Sequence, residues 1–368
     1  MKIALPVALF MASVASVSCQ RNSLRIEGNI DNLADGPIYL SVLDSSLSWQ
    51  KIDTAVVEHG HFLFDKSLVV DQPECFVLSV GNQNLHLFAA NDNVIMSGNA
   101  LRPEDITVRG SHYHDEMHNL MIGIPDMDRL ARLHAQIAAL GNDVDKKEDL
   151  LAEVQSIKDA QVDYLAKQIA DKSESPVAPF VLFNSLDLFS FEQVEQFLAA
   201  FQQKNPSHKY VQFLTNIVAQ KRVLNQALSN VAVGCAAPDF KLLNEFGDTL
   251  QLSSLHGSVV MLEFWASWDP DSRKSNQTIV EVYDKFGGKG LEVVGISLDH
   301  DKDEWVRAKT EDKLPGWQLI DPDGAVARLY VIRKLPFSLL VDENGIIVSK
   351  DNDGKGLFSD IEERLRRK

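Results

Sequence analysis

Cysteine is scarce in this sequence. Only three cysteines occur among 368 residues, Cys19, Cys75 and Cys235, and no two of them form a Cys-X-X-Cys pair. Basic residues are also in deficit, with 36 Lys and Arg against 52 Asp and Glu and a formal net charge of −16. Phosphate binding is driven by lysine and arginine, so this balance excludes a nucleic-acid partner. The length allows two or three domains with a large core.

No apolar run in the first residues is long enough to span a bilayer comfortably. Lys2 instead precedes a short apolar run at positions 3–17, and small residues lead directly into Cys19. This order is typical of an export signal. It resembles a bacterial lipoprotein signal, which implies cleavage after position 18 and lipidation of Cys19. We therefore expect residues 1–18 to be a signal peptide and the protein to be lipid-anchored on the periplasmic side of the envelope, at the outer rather than the inner membrane. No acidic run follows Cys19, so the membrane face of the anchor stays open. The alternative is a plain secretory signal cut nearby.

Cys75 and Cys235 have two interpretations. In an oxidising compartment a stable thiol pair usually becomes a disulfide. Each can instead be a small buried apolar residue, which we favour because a bond would require close docking of two domains.

Residues 19–110 are expected to form a β-rich domain. Short apolar stretches alternate with turn residues such as Asp35-Gly36 and His59-Gly60, which is typical of an all-β sandwich or open barrel. The predicted strand segments are LRIEGNI, PIYLSVL, TAVVEHGHFLFD, ECFVLSVGNQNLHLF and NVIMSGN.

Residues 111–230 show helical periodicity, with apolar residues recurring every three and four positions. Ser190 and Gln193 predict a capping box at the start of one helix. His112, His114 and His118 lie close together, and the last two share a helical face, a spacing that can hold a metal. No third distant ligand accompanies them, so we favour a solvated helix start and predict no metal site.

Residues 231–368 alternate strands with helices, which predicts an α/β domain. Within it, the stretch FWASWDPDSRK runs from an apolar strand into a helical pattern, in which the apolar residues Ile279, Val282, Tyr283 and Phe286 recur every three and four positions. Asp269 fits the N-cap of that helix and Pro270 its first position, where the missing N–H is harmless. The fold class predicted for the whole chain is therefore multidomain, with an all-β domain, a helical region and an α/β domain.

This last domain resembles the thioredoxin fold of the TlpA/ResA-like envelope thiol-disulfide oxidoreductases, in the AhpC/TSA-like superfamily. The resemblance rests on GCAAPDF at its entry, FWASW, GLEVVGISLD, and Leu335-Pro336 followed by FSLLVDENG. It implies that Asp269 and Ser272 occupy the positions of the family's two redox cysteines. Neither side chain can form a mixed disulfide, so exchange through two thiols is closed. The β-rich and helical regions are similar to the uncharacterised N-terminal parts of such proteins in some diderm bacteria.

The resemblance also assigns three further features of the former redox site. Glu263 matches a buried acid that moves protons for the thiols, with a partly solvated acid as the alternative. Leu335-Pro336 is expected to be a cis peptide facing Asp269. In the family, the proline loop and a surface tryptophan hold an extended client backbone, so Trp268, Pro270, Leu335 and Pro336 are the candidate binding residues.

The sequence therefore predicts a protein without redox catalysis or cofactor, whose thioredoxin-like domain binds a protein or peptide client in the envelope non-covalently. Three alternatives remain open. Asp269 and Ser272 can be only structural caps, with Trp268 an ordinary packed residue. A lone cysteine, Cys235 or Cys75, can act as a redox thiol, or Asp269 and Asp271 can bind a hard cation, although two carboxylates are few ligands for calcium.

Overall fold

The structure is a computed structural model that describes residues 23–81, 83–140, 144–351 and 356–366. The predicted signal peptide and Cys19 lie outside these residues. The chain divides into two compact units, one ending at Val218 and the other beginning at Ala219. Within the described residues, no helix combines the length and apolar character needed to cross a bilayer.

The first unit begins with eight strands in two four-stranded sheets, ordered β4-β1-β7-β8 and β3-β2-β5-β6. The inward-facing side chains of both sheets form one apolar cluster, including Ile26, Phe64, Leu40 and Leu78, which makes this part a β-sandwich. The strands are β1 (Leu24–Asp31), β2 (Gly36–Leu43), β3 (Trp49–Val57), β4 (His61–Leu68), β5 (Glu74–Val80), β6 (Gln83–Ala89), β7 (Asn93–Asn99) and β8 (Arg102–Arg109).

Strand β8 was not predicted from the sequence, because it has only two apolar residues, Ile106 and Val108, after a charged start that contains Pro103. The segment ECFVLSVGNQNLHLF is two strands, β5 and β6, which pair antiparallel across a turn at Gly81, where φ is +54°. A positive φ is readily adopted by glycine, so this residue lets the chain reverse.

Among the described residues, six helices follow the sandwich. Ser190 caps the fifth with a reciprocal capping box to Gln193, as predicted. Aromatic rings such as Phe88, Phe180 and Tyr210 pack at the centre of the apolar cluster that these helices share with the sandwich. The helices are α1 (His112–Ile122), α2 (Met127–Ala139), α3 (Val144–Asp171), α4 (Val177–Asn184), α5 (Phe191–Lys204) and α6 (Lys209–Asn230), and the boundary between the two units falls within α6.

The second unit is built around a seven-stranded mixed sheet ordered β10-β9-β13-β12-β11-β14-β15. The three central strands β13, β12 and β11 run parallel, and β14 runs antiparallel to β11. The elements are β9 (Lys241–Leu243), β10 (Thr249–Gln251), β11 (Val259–Trp265), α7 (Pro270–Phe286), β12 (Leu291–Ser297), α8 (Lys302–Glu311), β13 (Trp317–Ile320), α9 (Ala325–Leu329), β14 (Phe337–Val341), β15 (Ile347–Asp351) and α10 (Leu357–Arg366).

All seven residues of β11 are buried, because helices cover both faces of a parallel sheet centre. The face of α7 carrying Ile279, Val282 and Phe286 packs against this sheet, as its predicted periodicity required. The fold class predicted from the sequence is confirmed: a β-rich part, a helical middle and a C-terminal α/β thioredoxin-like domain.

Candidate functional site

The site lies where β11 ends and α7 begins. The chain leaves the sheet after Trp265, which is fully buried, and reaches Trp268, whose side chain is 63% exposed. Asp269 then adopts an extended conformation as N-cap, and Pro270 occupies the first helical position. A helix N-terminus carries unpaired N–H groups and partial positive charge, which is the environment that lowers a thiol pKa in redox proteins.

Asp269 and Ser272 are bonded to each other. Oδ2 of Asp269 accepts a hydrogen bond from the backbone N–H of Ser272 at 2.8 Å and from its hydroxyl at 2.6 Å. Ser272 is fully buried, so its hydroxyl is not presented to solvent. The predicted cap at Asp269 is confirmed, and the pair contains no atom that can take part in disulfide exchange.

Glu263 lies in the middle of β11, directly opposite Ser338 on β14. Its side chain is 1% exposed, so the partly solvated acid considered from the sequence is wrong. The Ser338 hydroxyl donates to Oε2, and the Ser275 hydroxyl lies 3.5 Å from Oε1. Hydroxyl donors therefore surround the acid that the resemblance assigns to proton transfer.

The loop before β14 lies at the same end of the sheet as Trp268, because Phe264 at the end of β11 pairs with Phe337 at the start of β14. The Leu335-Pro336 peptide bond is cis, as predicted. Pro336 is buried and Leu335 is half-buried. Outside the strand ladder, the main chain of residues 333–335 makes no hydrogen bond to any residue the structure describes.

Asp299 holds the loop between β11 and α7 in place, a role that the sequence analysis missed. This carboxylate is 1% exposed and accepts hydrogen bonds from the Ser267 N–H at 3.0 Å and the Ser267 hydroxyl at 2.5 Å. The Ser297 hydroxyl also donates to it. A polar residue just past the carboxyl end of the strand beside β11 was the available signal, since such ends meet at one edge of a parallel sheet.

The first turn of α7 is tied to the end of α8 by a second polar network that was not predicted. Arg273 donates to both carboxylate oxygens of Asp312, at 2.6 and 2.8 Å, and to Glu311 at 3.0 Å. Asn276 donates to Asp312 at 2.6 Å. The hydrogen bonds to Asp312 raise the pKa of the Arg273 guanidinium, so this charge is permanent.

The two described cysteines are both free thiols, and neither lies near the start of α7 in sequence. Cys75 is buried in the first unit, and desolvation raises the pKa of its thiol to about 12. Cys235 is half-buried and its Sγ lies 3.3 Å from the carbonyl oxygen of Ser229. Thiolate is the reactive form, so Cys75 is in an environment that suppresses reactivity.

The two groups of residues considered as metal ligands, the histidines at the start of α1 and the pair Asp269 and Asp271, do not form a complete ligand set in the described structure. His114 and His118 stack with their ring centroids 6.3 Å apart, and Nδ1 of His114 accepts from the Phe88 N–H at 3.4 Å. In the part of the chain that the structure describes, no group of three or more His, Cys, Asp or Glu side chains is arranged to hold a metal ion. The cap bonds already use one oxygen of Asp269, while Asp271 is exposed.

A mixed sheet with a parallel centre, a helix starting just past its central strand and a cis-proline loop beside that start define a thioredoxin-fold domain of the thiol-disulfide oxidoreductase type. Residues 233–350 match the AhpC/TSA family, and residues 24–117 match a domain of unknown function, DUF4369. The C-terminal domain of this chain is therefore similar to the TlpA/ResA-like thioredoxin-fold family.

Two proteins similar to this chain are named as thiol-disulfide oxidoreductases. The chain is 36% identical over 122 residues to the thiol-disulfide oxidoreductase ResA of Oceanobacillus iheyensis, which covers 31% of this chain and 62% of that protein. It is 26% identical over 135 residues to ResA of Bacillus thuringiensis, covering 37% and 78%. The chain thus spans less than two thirds of the Oceanobacillus relative.

Solved structures similar to the chain include a putative thiol:disulfide interchange protein DsbE from Chlorobium tepidum, with 31% identity, 37% of this chain, 99% of that chain and a TM-score of 0.35. The C-terminal domain of a putative thiol-disulfide oxidoreductase from Bacteroides thetaiotaomicron shares 32% identity, with 38% of this chain, 99% of that chain and a TM-score of 0.36.

Proposed function

We propose that the C-terminal domain is a redox-inactive thioredoxin-fold module that binds an extended segment of a protein or peptide client without forming a covalent bond. The observation that carries the proposal is the bonded pair Asp269 and Ser272 at the helix start. Disulfide exchange proceeds by attack of a thiolate on a sulfur atom. With a carboxylate and a buried hydroxyl in those positions, recognition is the part of the family's chemistry that remains possible.

Support for a peptide-binding groove comes from the two segments that meet at this end of the sheet. Trp268 exposes most of its indole, and large aromatic side chains are enriched where proteins bind partners. The main chain of residues 333–335 has hydrogen-bonding groups without main-chain partners in the described structure. An extended peptide can pair with such an edge as an added strand. Pro336 itself is buried, so we expect its contribution to be loop shape.

Hydrogen bonds hold the backbone on both sides of Trp268 in place. Asp299 fastens Ser267, the residue before Trp268, with hydrogen bonds from its backbone and side chain. Arg273 and Asn276 attach the first turn of α7 to Asp312. Side chains held in this way lose less conformational entropy when they bind a partner, which favours affinity.

The test is binding of a client to matched tryptophan variants. Clients are captured from envelope extract on the immobilised protein and identified, and the dissociation constant of a purified client is then measured by calorimetry. We expect Trp268→Ala to weaken binding by roughly tenfold or more, as for an interface anchor. The control is Trp49→Ala, which removes an indole that is 51% exposed in the first unit. Equal affinity of all three proteins would remove the groove from the proposal.

A redox assay tests the other half of the proposal. The purified protein should not accelerate insulin reduction by dithiothreitol above the uncatalysed rate. Sustained turnover that Cys235→Ser or Cys75→Ser abolishes would replace our proposal with the lone-cysteine alternative. Burial and a raised thiol pKa disfavour Cys75 as the redox thiol, so Cys235 is the cysteine that this assay mainly tests.

We further propose that the protein is anchored through lipidated Cys19 in the cell envelope, on the periplasmic side of the outer membrane. The support is the order of Lys2, an apolar run and small residues before Cys19. Metabolic labelling with a fatty-acid analogue should mark the wild-type protein and Cys235→Ser but not Cys19→Ala. Labelling that persists in Cys19→Ala would refute the anchor.

A further inference from the structure

A cavity of ≈ 760 Å³ lies within the first unit, between β6–β8 and helices α1–α4. It shares no residue with the start of α7, so it is independent of the groove proposed above. Its volume falls within the range of about 300–1,000 Å³ typical of pockets that bind small molecules. The first question is what chemistry its wall offers.

Methionine is concentrated in this wall. Four of the seven methionines of the chain line the cavity, namely Met96, Met117, Met121 and Met127. Met261 lies instead in the core of the second unit, and the other two fall outside the described residues. Thioether side chains are flexible and polarisable, so they adapt to irregular apolar ligands.

The rim of the cavity exposes apolar surface to solvent. Met121 is 48% exposed and Met127 is 52% exposed, and both line the same opening. Scattered exposed apolar residues are ordinary, but their grouping around a cavity is characteristic of binding sites. The wall and rim therefore favour an apolar occupant.

The charged side chains that line the cavity determine which charge a bound molecule can carry on its polar group. Among the described residues, its acidic side chains are Glu104 and Asp187, both exposed, and its basic side chains are histidines rather than lysine or arginine. Neither carboxylate forms an ion pair with another residue that the structure describes. The chain also carries a net charge of −16. A fatty acid would find no lysine or arginine to pair with here, whereas a cation finds two carboxylates.

His114 does not change this balance. Its Nδ1 accepts the Phe88 N–H, which places the ring proton of the neutral form on Nε2. Burial, and then the nearby His118, lower the pKa of His114, so its ring is neutral near pH 7. A protonated Nε2 cannot coordinate a metal, which leaves His118 as the only imidazole of the pair free to do so. Of the three histidines that line the cavity, His114 is therefore neither a charged partner nor a metal ligand.

We propose that this cavity binds a small amphiphilic cation, an apolar molecule whose single ammonium group lies near Glu104 and Asp187 at the rim. The apolar part contacts the four methionines, and the ammonium is paired by the two carboxylates. The same cavity discriminates against a carboxylate of equal chain length.

The test uses the full chain labelled with ¹³C at the methionine methyl groups. Decyltrimethylammonium and decanoate are titrated separately, below their micelle concentrations, and Met261 serves as the internal control. We expect saturable shifts at the cavity methionines with the ammonium compound, and affinity for decanoate lower by about tenfold or more, which corresponds to 1.4 kcal/mol. Equal affinity for both compounds, shifts that include Met261, or no shift at all would overturn the proposal.

Matched variants locate the two parts of the ligand. Glu104→Gln should weaken the ammonium compound several-fold, while Asp105→Asn should not, because Asp105 alternates to the other face of β8 and pairs with Arg102. Met121→Gln should weaken both compounds, whereas Ile122→Gln, its exposed neighbour outside the cavity, should weaken neither. Circular dichroism checks the folding of each variant. A Glu104→Gln protein with wild-type affinity would contradict the assigned charge pairing.

Discussion

Asp269 has a structural role at the position that the resemblance assigns to a redox cysteine. Its carboxylate accepts two hydrogen bonds from Ser272 and caps α7, whose first position is Pro270. The residue types that remove the redox chemistry are thus those that stabilise a helix start most strongly. This explains how the helix start is stable without cysteines, because its Ser272 N–H has an acceptor in Asp269.

Replacing the cap should destabilise the second unit. We expect Asp269→Ala to lower the free energy of unfolding by about 0.5–2 kcal/mol, measured by urea denaturation, because the Ser272 N–H and hydroxyl lose their acceptor. Asp269→Asn should retain most of the stability, since asparagine caps equally well. Asp284→Ala removes an exposed carboxylate from the same helix beyond its first turn and should change stability by less than about 0.5 kcal/mol. A loss as large as that of Asp269→Ala in this control would contradict a capping role.

The two remaining thiols should differ in reactivity. Burial raises the pKa of Cys75 to about 12, above the ordinary 9.0, so its thiol stays protonated and unreactive at pH 8. In a Cys19→Ala background, Ellman's reagent should therefore label one cysteine of the folded protein and two after denaturation. Labelling of the folded protein should disappear in Cys235→Ser and persist in Cys75→Ser. Rapid labelling of Cys75 would show that its surroundings open to solvent.

At the scale of elements, the sequence predicted what depends on local pattern. Residues three or four positions apart determine three features that were predicted: the start of α7, its apolar face from Ile279 to Phe286, and the capping box at Ser190. The cis-proline loop was predicted only because Leu335-Pro336 and the segment after it resemble the proline loop of a known family. Strands β8, β9, β10 and β13 were missed. Three of them have only three or four residues, and β8 has only two apolar residues after a charged start that contains a proline, so each gives little periodic signal.

The residues that hold the candidate site in place were not predicted, for a different reason. Asp299 bonds to Ser267, and Arg273 to Asp312, across separations in sequence of 32 and 39 residues. No local pattern encodes such pairs, because they form only after parallel strands and neighbouring helices are assembled. The groove residues themselves could be assigned by resemblance, whereas the residues that hold them required the structure.

The link between α7 and α8 should be measurable as a coupling between two residues. In a double-mutant cycle of Arg273→Ala and Asp312→Ala, urea denaturation should give a coupling energy of about 1 kcal/mol, because the bidentate geometry is favourable but the pair is partly exposed. The same cycle with Lys274→Ala in place of Arg273→Ala should give a coupling near zero, since Lys274 is exposed and forms no ion pair with a described residue. Zero coupling in the Arg273 cycle would show that the network does not fasten the helices.

At the scale of the whole molecule, the thioredoxin-like domain keeps the fold, the helix start and the proline loop of an oxidoreductase but not its sulfur atoms. The decisive question is whether the sulfurs are all that is missing. Glu263 is retained in the buried centre of the site, with Ser338 and Ser275 beside it. If this surrounding structure still favours thiolate chemistry, two substitutions should restore it.

Asp269→Cys combined with Ser272→Cys should give a protein that reduces insulin with dithiothreitol, whereas the wild-type protein does not. The helix start stabilises the thiolate of the first cysteine, and the second completes the disulfide that exchange requires. Asp269→Cys alone is the control, because one thiol can form a mixed disulfide but cannot release it intramolecularly. A folded double variant that forms the disulfide yet shows no turnover would mean that the site has also lost the surroundings needed for exchange. In that case the site differs from an oxidoreductase in more than its two cysteines. This result would favour binding over exchange as the function of this domain.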